Sequence, residues 1–366
     1  MDNLTHSLFG LTVARTPLGR AGRGTTVALL LASNAPDIDI VTTLGGAATY
    51  LQWHRGPTHG PFGIVGLAFV CALLGRAAAQ WRAAPADDPP ATLGRLWIVS
   101  IVGVLCHVLM DLPTSYGTRL LSPLSWTWFG EDWMPIVDLY LLAILGGGLL
   151  LARRAAKAGV DLRQRNAYLA LVLMAGNYGL RATSHHLALS GAADVFGPTL
   201  PARCADATPE GRWIDRWPVT RAATPRDAAA GRCLVEIAAM PDFLSPFRWQ
   251  LVAQLSNAYE RRELDLWQPP VRDDRGAQLL SVRYPNQWTP AVEQAAQSEI
   301  GRVYLGFSRF PAARSTLDAD GTATVRWSDM RFIMNRVGTS ERQSGLFIAT
   351  VRVGADGRPF DQRLGR

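Results

Sequence analysis

Four short motifs in the first 111 residues contain histidine, aspartate or both. The motifs are Thr5-His6-Ser7, Asn34-Ala35-Pro36-Asp37-Ile38-Asp39, His54-Arg55-Gly56-Pro57-Thr58-His59 and His107-Val108-Leu109-Met110-Asp111. Imidazole nitrogens and carboxylate oxygens together are the ligands of catalytic zinc, manganese and iron sites. The motifs therefore predict a divalent metal centre, with zinc expected first and manganese or iron as alternatives. Its seven candidate ligands are His6, Asp37, Asp39, His54, His59, His107 and Asp111.

The spacing within the motifs can bring these side chains to one point. His107 and Asp111 are four residues apart, so on a helix they share one face. Pro36 ends the preceding helix, and the turn after it can direct both Asp37 and Asp39 at the same centre. The Gly-Pro dipeptide in the third motif bends the chain between its two histidines. Each short motif thus predicts ligands that converge.

The number of candidate ligands bears on the number of ions. A mononuclear catalytic zinc ion has three protein ligands, and seven candidates exceed that number. One ion and two ions both remain open, with two favoured and one aspartate either bridging them or acting as a general base. The candidate catalytic carboxylates are Asp37, Asp39 and Asp111.

Apolar stretches surround the motifs and predict the helices that position them. They cover about residues 4–14, 25–35, 61–80, 96–112, 136–152 and 167–184. A helix needs roughly 20 apolar residues to span a bilayer, so the first two stretches are too short. We expect these two to form a helical hairpin, with a turn at residues 15–20, that packs against longer spans. Ionisable side chains inside such spans are costly and are functional by default, which applies to the fourth motif.

The basic residues between the apolar stretches predict the sidedness of the chain. Three clusters lie in alternate connections: Arg15, Arg20 and Arg23; Arg76, Arg82 and Arg95; and Arg153, Arg154, Lys157, Arg163 and Arg165. Because arginine and lysine are retained on the cytoplasmic side, these connections are predicted to be cytoplasmic. The N-terminus, all four motifs and everything after about residue 185 would then face outward.

Charge and pattern change near residue 190. Of the 37 basic and 30 acidic residues, about 24 lie in residues 1–185, as expected of a bilayer domain. We predict a mainly α-helical, multi-spanning membrane domain over residues 1–190, a helical bundle that holds the metal site. A soluble, β-rich α+β domain, extracytoplasmic by the sidedness argument, is predicted over residues 191–366.

Alternating segments in the second half predict antiparallel strands. The clearest are residues 302–307, 322–327 and 346–353. The Asp-Gly dipeptides Asp320-Gly321 and Asp356-Gly357 predict hairpin turns.

Composition excludes several classes of protein. The net charge of +7 comes from clusters between apolar stretches rather than from a basic face with aromatic residues, so nucleic acid is not an expected partner. The expected partner is the lipid bilayer. Four cysteines without a CxxC pair argue against a zinc ribbon or a redox motif. Cys204 and Cys233 could form a disulfide if the second half faces an oxidising compartment. No cleavable signal peptide is evident.

In this order the motifs resemble the YdjM-like family of LexA-regulated inner-membrane proteins, which are described as metal-dependent hydrolases. The residues 2–6, 36–39, 54–59, 107–111 and 116–123 carry the resemblance, which covers the first half of the chain. The chain departs from the family at Gly60, where serine is usual. A more distant likeness to the zinc-dependent phospholipase C and nuclease group implies hydrolysis of a phosphoester in a lipid-like substrate.

Three hypotheses of function follow. The first is a membrane-bound, metal-dependent hydrolase in the bacterial inner membrane, in which the ion acidifies a water molecule and polarises a phosphoryl or acyl oxygen. The second is a metal-handling or transport protein, whose ligands would be expected near the bilayer midplane. The third is a non-catalytic envelope interaction protein with a structural metal.

Overall fold

The computed structural model describes residues 1–81, 89–197, 200–205, 215–217, 232–268, 281–333 and 347–365. The chain divides into two units, which are treated in turn. The first comprises Met1–Val41 and Trp53–Ala182, and the second comprises Thr42–Gln52 and Thr183–Arg366.

The N-terminal region is helical. Its α-helices are α1 (Asn3–Val13), α2 (Thr25–Ala32), α3 (Ala47–Trp53), α4 (Pro61–Trp81), α5 (Leu93–Asp111), α6 (Leu139–Lys157) and α7 (Arg163–Ser190). Short 3-10 helices cover Pro17–Arg20 and Ala35–Gly45, and a short strand, β1, covers Trp128–Gly130. Asp2 begins α1, because its carboxylate accepts a hydrogen bond from the Thr5 backbone N–H at 3.0 Å. The first two predicted stretches are therefore two short helices, joined as expected by a turn.

Within the described residues, three helices, α4, α5 and α6, are long and apolar enough to cross a membrane. A fourth candidate is α2 together with the 3-10 helix Ala35–Gly45, which are bent by 47° relative to each other. Large apolar side chains such as Phe62 and Val70 are exposed on α4. In a bilayer such side chains contact lipid rather than water. The sixth predicted stretch lies in α7, which is not among these candidates because polar side chains interrupt it.

Small residues let α2 approach its neighbours closely. A Cβ atom added to Gly75 of α4 would lie 2.8 Å from the Ala28 Cβ, and one added to Gly103 of α5 would lie 2.8 Å from the Ala32 Cβ. Close packing through small residues is how helices associate in membranes. The approach brings the end of α2, and the 3-10 helix that follows it, beside α5.

The second unit contains two antiparallel sheets. Their strands are β3 (Leu234–Pro241), β4 (Arg248–Leu255), β5 (Ala258–Asp265) and β6 (Ser281–Pro285) in one sheet, and β7 (Pro311–Leu317), β8 (Ala323–Asp329), β9 (Ile348–Val353) and β10 (Pro359–Leu364) in the other. The strand orders are β3-β4-β5-β6 and β10-β9-β8-β7. Further elements are α8 (Ala192–Phe196), β2 (Asp215–Trp217), α9 (Pro290–Ala296) and α10 (Glu299–Phe307). The predicted fold class, a helical membrane region followed by a β-rich α+β region, is confirmed.

Most of the predicted β features are confirmed, with one correction. Residues 323–327 lie in β8, which begins one residue after the predicted start, and residues 348–353 form β9; position 346 is outside the described residues. Gly321 and Gly357 have φ angles of 81° and 78°, as hairpin turns between β7 and β8 and between β9 and β10 require. The segment 302–307, predicted as a strand, is instead part of helix α10.

The helix at α10 has a local cause. The Ser298 hydroxyl accepts a hydrogen bond from the Gly301 N–H at 3.0 Å, which caps the helix start. Tyr304 and Phe307, three residues apart, are both buried, so the apolar positions follow a helical period. The segment is short enough that alternation and helical spacing both fit its sequence, and the cap decides between them.

Cys204 and Cys233 form a disulfide. The prediction that these two cysteines can bridge is confirmed in the structure. Cys71 and Cys106, the other two cysteines, are free thiols within α4 and α5.

Candidate metal centre

Four side chains from three parts of the first unit converge at the end of α5. Asp37, His59, His107 and Asp111 each offer one ligand atom, and these atoms all lie within 4.8 Å of one another. Asp37 comes from the 3-10 helix after α2, and His59 from the loop that precedes α4. Among the described residues, this is the one group of three or more potential ligands.

His107 and Asp111 occupy the last turns of α5, as their four-residue spacing predicts. The His107 Nε2 lies 3.4 Å from the Asp111 Oδ2 and 3.5 Å from the Asp37 Oδ1. The His107 Nδ1 lies 2.8 Å from the Ser33 carbonyl oxygen, which can only accept a hydrogen bond. Nδ1 therefore donates to this carbonyl, and Nε2 faces the two carboxylates.

His59 completes the group from the opposite side. Its Nε2 is 3.4 Å from the Asp111 Oδ2 and 3.9 Å from the Asp37 Oδ1. Its Nδ1 lies 3.0 Å from the Thr58 hydroxyl. Burial, followed by the charges of His107 and Arg55, holds the pKa of His59 well below its ordinary value. His59 is therefore neutral at pH 7, the state in which an imidazole binds a metal ion.

The arrangement fits a divalent cation. The His59 Nε2, the His107 Nε2 and the Asp111 Oδ2 are buried and have no hydrogen-bond partner. An unsatisfied buried polar atom costs about 1–3 kcal/mol, and more if it is charged. One cation placed among these atoms would satisfy all three. Their chemistry, two imidazoles and a carboxylate, is the ligand set of many catalytic zinc sites.

Three of the seven candidate ligands lie outside this group. Asp39 and His54 pair with each other, with 3.0 Å between the Asp39 Oδ1 and the His54 Nδ1. The Asp39 Oδ2 accepts a hydrogen bond from the Arg55 backbone N–H at 2.7 Å, so this carboxylate holds the histidine loop in place. His6 stacks on His107, with 3.8 Å between ring centroids. The His6 Nε2 lies 3.4 Å from the Asp111 Oδ1, and the Asp39 Oδ2 lies 3.8 Å from the His59 Nδ1, so His6 and Asp39 border the group of four directly and His54 borders it through Asp39.

Arg55 lies at the centre, although a guanidinium cation is not a candidate metal ligand. Its Nη2 lies 3.1 Å from the Asp111 Oδ1, and its Nη1 donates to the Thr114 hydroxyl at 3.1 Å and to the Gly117 carbonyl at 3.0 Å. In the sequence, its position between His54 and Gly56 of the third motif is the feature that indicates a place at the site. The Met1 amino group also contacts the Asp111 Oδ1. The Arg55 guanidinium contacts Oδ1, whereas Oδ2 is the Asp111 oxygen that faces the Nε2 atoms of His59 and His107.

Asp138, a carboxylate near the start of α6, has a structural role. Its Oδ1 accepts a hydrogen bond from the Leu141 N–H at 2.7 Å and thereby caps α6. Its Oδ2 lies 2.6 Å from the Arg181 Nε, and both side chains are buried. The ion pair joins α6 to α7. Removing one partner of such a buried pair destabilises a protein by about 3–5 kcal/mol.

The two histidines of the third motif should respond differently to substitution. His59→Ala removes a ligand atom, so we expect metal affinity to fall by more than the roughly 10- to 100-fold that loss of an outer partner costs. His54→Ala removes the partner of Asp39 and a ring contact with Tyr116 but none of the four group members, so we expect metal affinity to fall by about 10- to 100-fold. Titration of purified protein with zinc against a chelating dye compares the two variants. Equal losses would contradict the assignment.

Comparisons with known proteins agree with the position of these motifs. The family model described as "YdjM inner membrane protein" matches residues 1–188, which contain every residue of the centre. The uncharacterized protein YfhP of Bacillus subtilis strain 168 is 33% identical over 103 residues, a match that covers 28% of each chain. No solved structure matches the chain. Because this family match spans more than half of the chain, the chain belongs to the YdjM inner membrane protein family.

Proposed function

We propose that this protein is a membrane-bound, metal-dependent hydrolase that acts on a phosphoester of a lipid-like substrate at the membrane surface. The observation that carries the proposal is the convergence of His59, His107 and Asp111, all buried, with the partly exposed Asp37. Three buried ligands and one position that solvent reaches are typical of a catalytic rather than a structural zinc site.

The residues divide into distinct roles. His59, His107 and Asp111 would hold the ion, and an ion held there lowers the pKa of a water molecule and polarises a phosphoryl or acyl oxygen. Asp37, the member that solvent reaches, is placed to accept a proton from the attacking water. Arg55 acts as a positioning residue, because its guanidinium orients Asp111 from the side away from the ligand group.

The position of the centre supports a lipid-like substrate. Asp111 is the last residue of α5, a candidate membrane span, so the ligands lie at a span end. The phosphoesters of membrane lipids occupy the headgroup layer, at the same depth as the ends of spanning helices. A transport site would instead be expected near the bilayer midplane, on broken helices. This depth favours hydrolysis over the metal-handling alternative.

The test of the function uses the purified full-length protein with mixed micelles of phospholipid and with bis(4-nitrophenyl) phosphate. We expect turnover that a chelator abolishes and zinc or manganese restores. Asp37→Asn should keep the metal while turnover falls by about 10²- to 10⁴-fold, the usual contribution of a general base. Loss of folding on chelation without any turnover would support a structural metal. Uptake of the ion into vesicles without turnover would support transport.

We further propose that the second unit faces an oxidising, extracytoplasmic compartment. The Cys204–Cys233 disulfide supports this orientation, because disulfides persist outside the cytoplasm and are rare inside it. We expect reporters fused after Arg165 and after residue 200 to fall on opposite sides of the membrane, the later one outside. This placement requires α7, which lies between them, to cross the bilayer despite its polar side chains. The disulfide should protect both cysteines from thiol labelling in the unreduced protein. A cytoplasmic signal from the later fusion would overturn this orientation.

A further inference from the structure

A row of arginines crosses one face of the sheet β10-β9-β8-β7. The register places Arg326 of β8 opposite Thr350 of β9, and Thr350 opposite Arg363 of β10. In the next row of the same face, Arg352 lies opposite Asp361. Side chains two residues apart on a strand share a face, so all three arginines point to the same side. We refer to Arg326, Arg352 and Arg363 as the arginine face.

The other face of this sheet is the packed one. Val325, Trp327 and Val351 alternate with the arginine face along β8 and β9 and are completely buried. On the arginine face, by contrast, Arg326 is exposed, and the side chains of Arg352 and Arg363 are 39% and 67% exposed. The arginines therefore line a surface that an external ligand can reach.

A cavity of about 620 Å³ opens on this surface. It is lined by the arginine face together with Ile348, Thr350 and Asp361. Pockets that bind small molecules commonly have volumes of about 300–1,000 Å³. The volume of the cavity is within the range of small-ligand pockets.

The charges inside the cavity do not balance. Arg363 donates hydrogen bonds to the Asp361 carboxylate at 3.0 and 3.1 Å, and Arg352 lies 3.7 Å from the Asp318 carboxylate outside the cavity. Within the described part of the chain, Arg326 has no carboxylate within ion-pair distance. Three guanidinium groups, the Asp361 carboxylate inside the cavity and the Asp318 carboxylate beside Arg352 leave an excess positive charge of about one. Like charges close together on a sheet face are destabilising, and a bound anion removes that cost.

We propose that this cavity binds the phosphate group of a phosphate monoester. Guanidinium groups bind phosphate oxygens through paired, charge-assisted hydrogen bonds, and the planar fork of arginine matches phosphate better than a lysine would. A phosphate monoester carries about 1.5 to 2 negative charges at pH 7, enough to neutralise the excess positive charge at the cavity. The Thr350 hydroxyl lies between Arg326 and Arg363 in the same row and can donate a further hydrogen bond. Both a soluble phosphate ester and a phosphatidic acid headgroup present this group.

Calorimetric titration of the full-length protein in detergent with inorganic phosphate tests the proposal. Arg326→Gln should weaken binding by at least about tenfold, since a hydrogen bond to a charged group contributes roughly that factor. Arg358→Gln is the matched control, because Arg358 is an exposed arginine in the β9–β10 turn that lies outside the cavity. We expect it to bind phosphate as the wild-type protein does. Circular dichroism checks that both variants are folded.

Two further titrations distinguish the sources of the phosphate group. Glycerol 3-phosphate represents a soluble ester, and vesicles of phosphatidylcholine with phosphatidic acid represent the lipid headgroup. If Arg326→Gln weakens the binding of glycerol 3-phosphate or of the phosphatidic acid vesicles, the proposal is supported. The ligand whose binding is weakened identifies the source of the phosphate group. Phosphate bound at the metal centre would be unaffected by this substitution. Equal affinity in Arg326→Gln and wild type, or no binding up to roughly 10 mM phosphate, would overturn the proposal.

Discussion

Replacing Asp111 with asparagine will strip or greatly weaken the bound metal while the protein still inserts and folds. Asparagine keeps the shape and polarity of the side chain but removes the charge of Oδ2, which lies 3.4 Å from both the His59 and the His107 Nε2 atoms. The loss of affinity should exceed the roughly 10- to 100-fold that removal of an outer-shell partner costs. Metal analysis of the protein after detergent purification measures the effect.

The same substitution also removes an ion pair, so a second variant is needed. Asp111 contacts Arg55, which keeps its hydrogen bonds to Thr114 and Gly117 when the carboxylate is lost. His107→Ala leaves that ion pair intact and should likewise lower metal content. Asp161→Asn, at an exposed carboxylate between α6 and α7, should retain full metal content. Full stoichiometric metal in both Asp111→Asn and His107→Ala would place the site elsewhere.

Substituting Gly60 with alanine will disrupt the loop that carries His59. A Cβ atom at position 60 would lie 1.8 Å from the Ser122 carbonyl oxygen and 2.8 Å from its carbonyl carbon. Backbone atoms on both sides must then move, and we expect a loss of stability of roughly 3 kcal/mol or more, with loss of metal. Thermal unfolding of the purified protein, followed with and without zinc, measures both.

A matched glycine separates this contact from a general effect of alanine. Gly66 lies in α4, where an added Cβ meets no atom within 4 Å. Gly66→Ala should be neutral or slightly stabilising, because alanine has the higher helix propensity. If Gly60→Ala unfolds at the wild-type temperature and keeps its metal, the close approach to Ser122 is not required. The departure from the usual serine at this position would then have no structural consequence.

The sequence predicts ligands best where the local backbone geometry alone determines where their side chains point. His107 and Asp111 share a helical face by spacing alone, and both belong to the group of four. Asp37 and Asp39, in contrast, are equivalent as sequence signals after Pro36. Their separation into a ligand and a loop anchor depends on the Arg55 backbone N–H, which binds Asp39 at 2.7 Å. That contact comes from a loop distant in sequence, so no spacing rule predicts it.

The fold shows the same division between local and distant causes. The Asp-Gly dipeptides that contain Gly321 and Gly357 predict turns from residue type alone, and the structure has turns there. The segment 302–307 alternates like a strand, yet it forms α10 because Ser298 caps the helix. Arg55 was not predicted as a site residue, because a search for ligands ignores cations. Its role becomes visible only when Asp111, 56 positions along the sequence, is brought beside it.

Metal stoichiometry in the wild-type protein tests the central claim most directly. The full-length chain, purified in detergent without added metal and without chelator, is measured by inductively coupled plasma mass spectrometry alongside its His107→Ala variant. Because the His59 Nε2, the His107 Nε2 and the Asp111 Oδ2 face one point, we predict about one divalent ion per wild-type chain. The variant should hold far less. A wild-type protein without metal that also binds none on addition of zinc, manganese or iron would contradict the account.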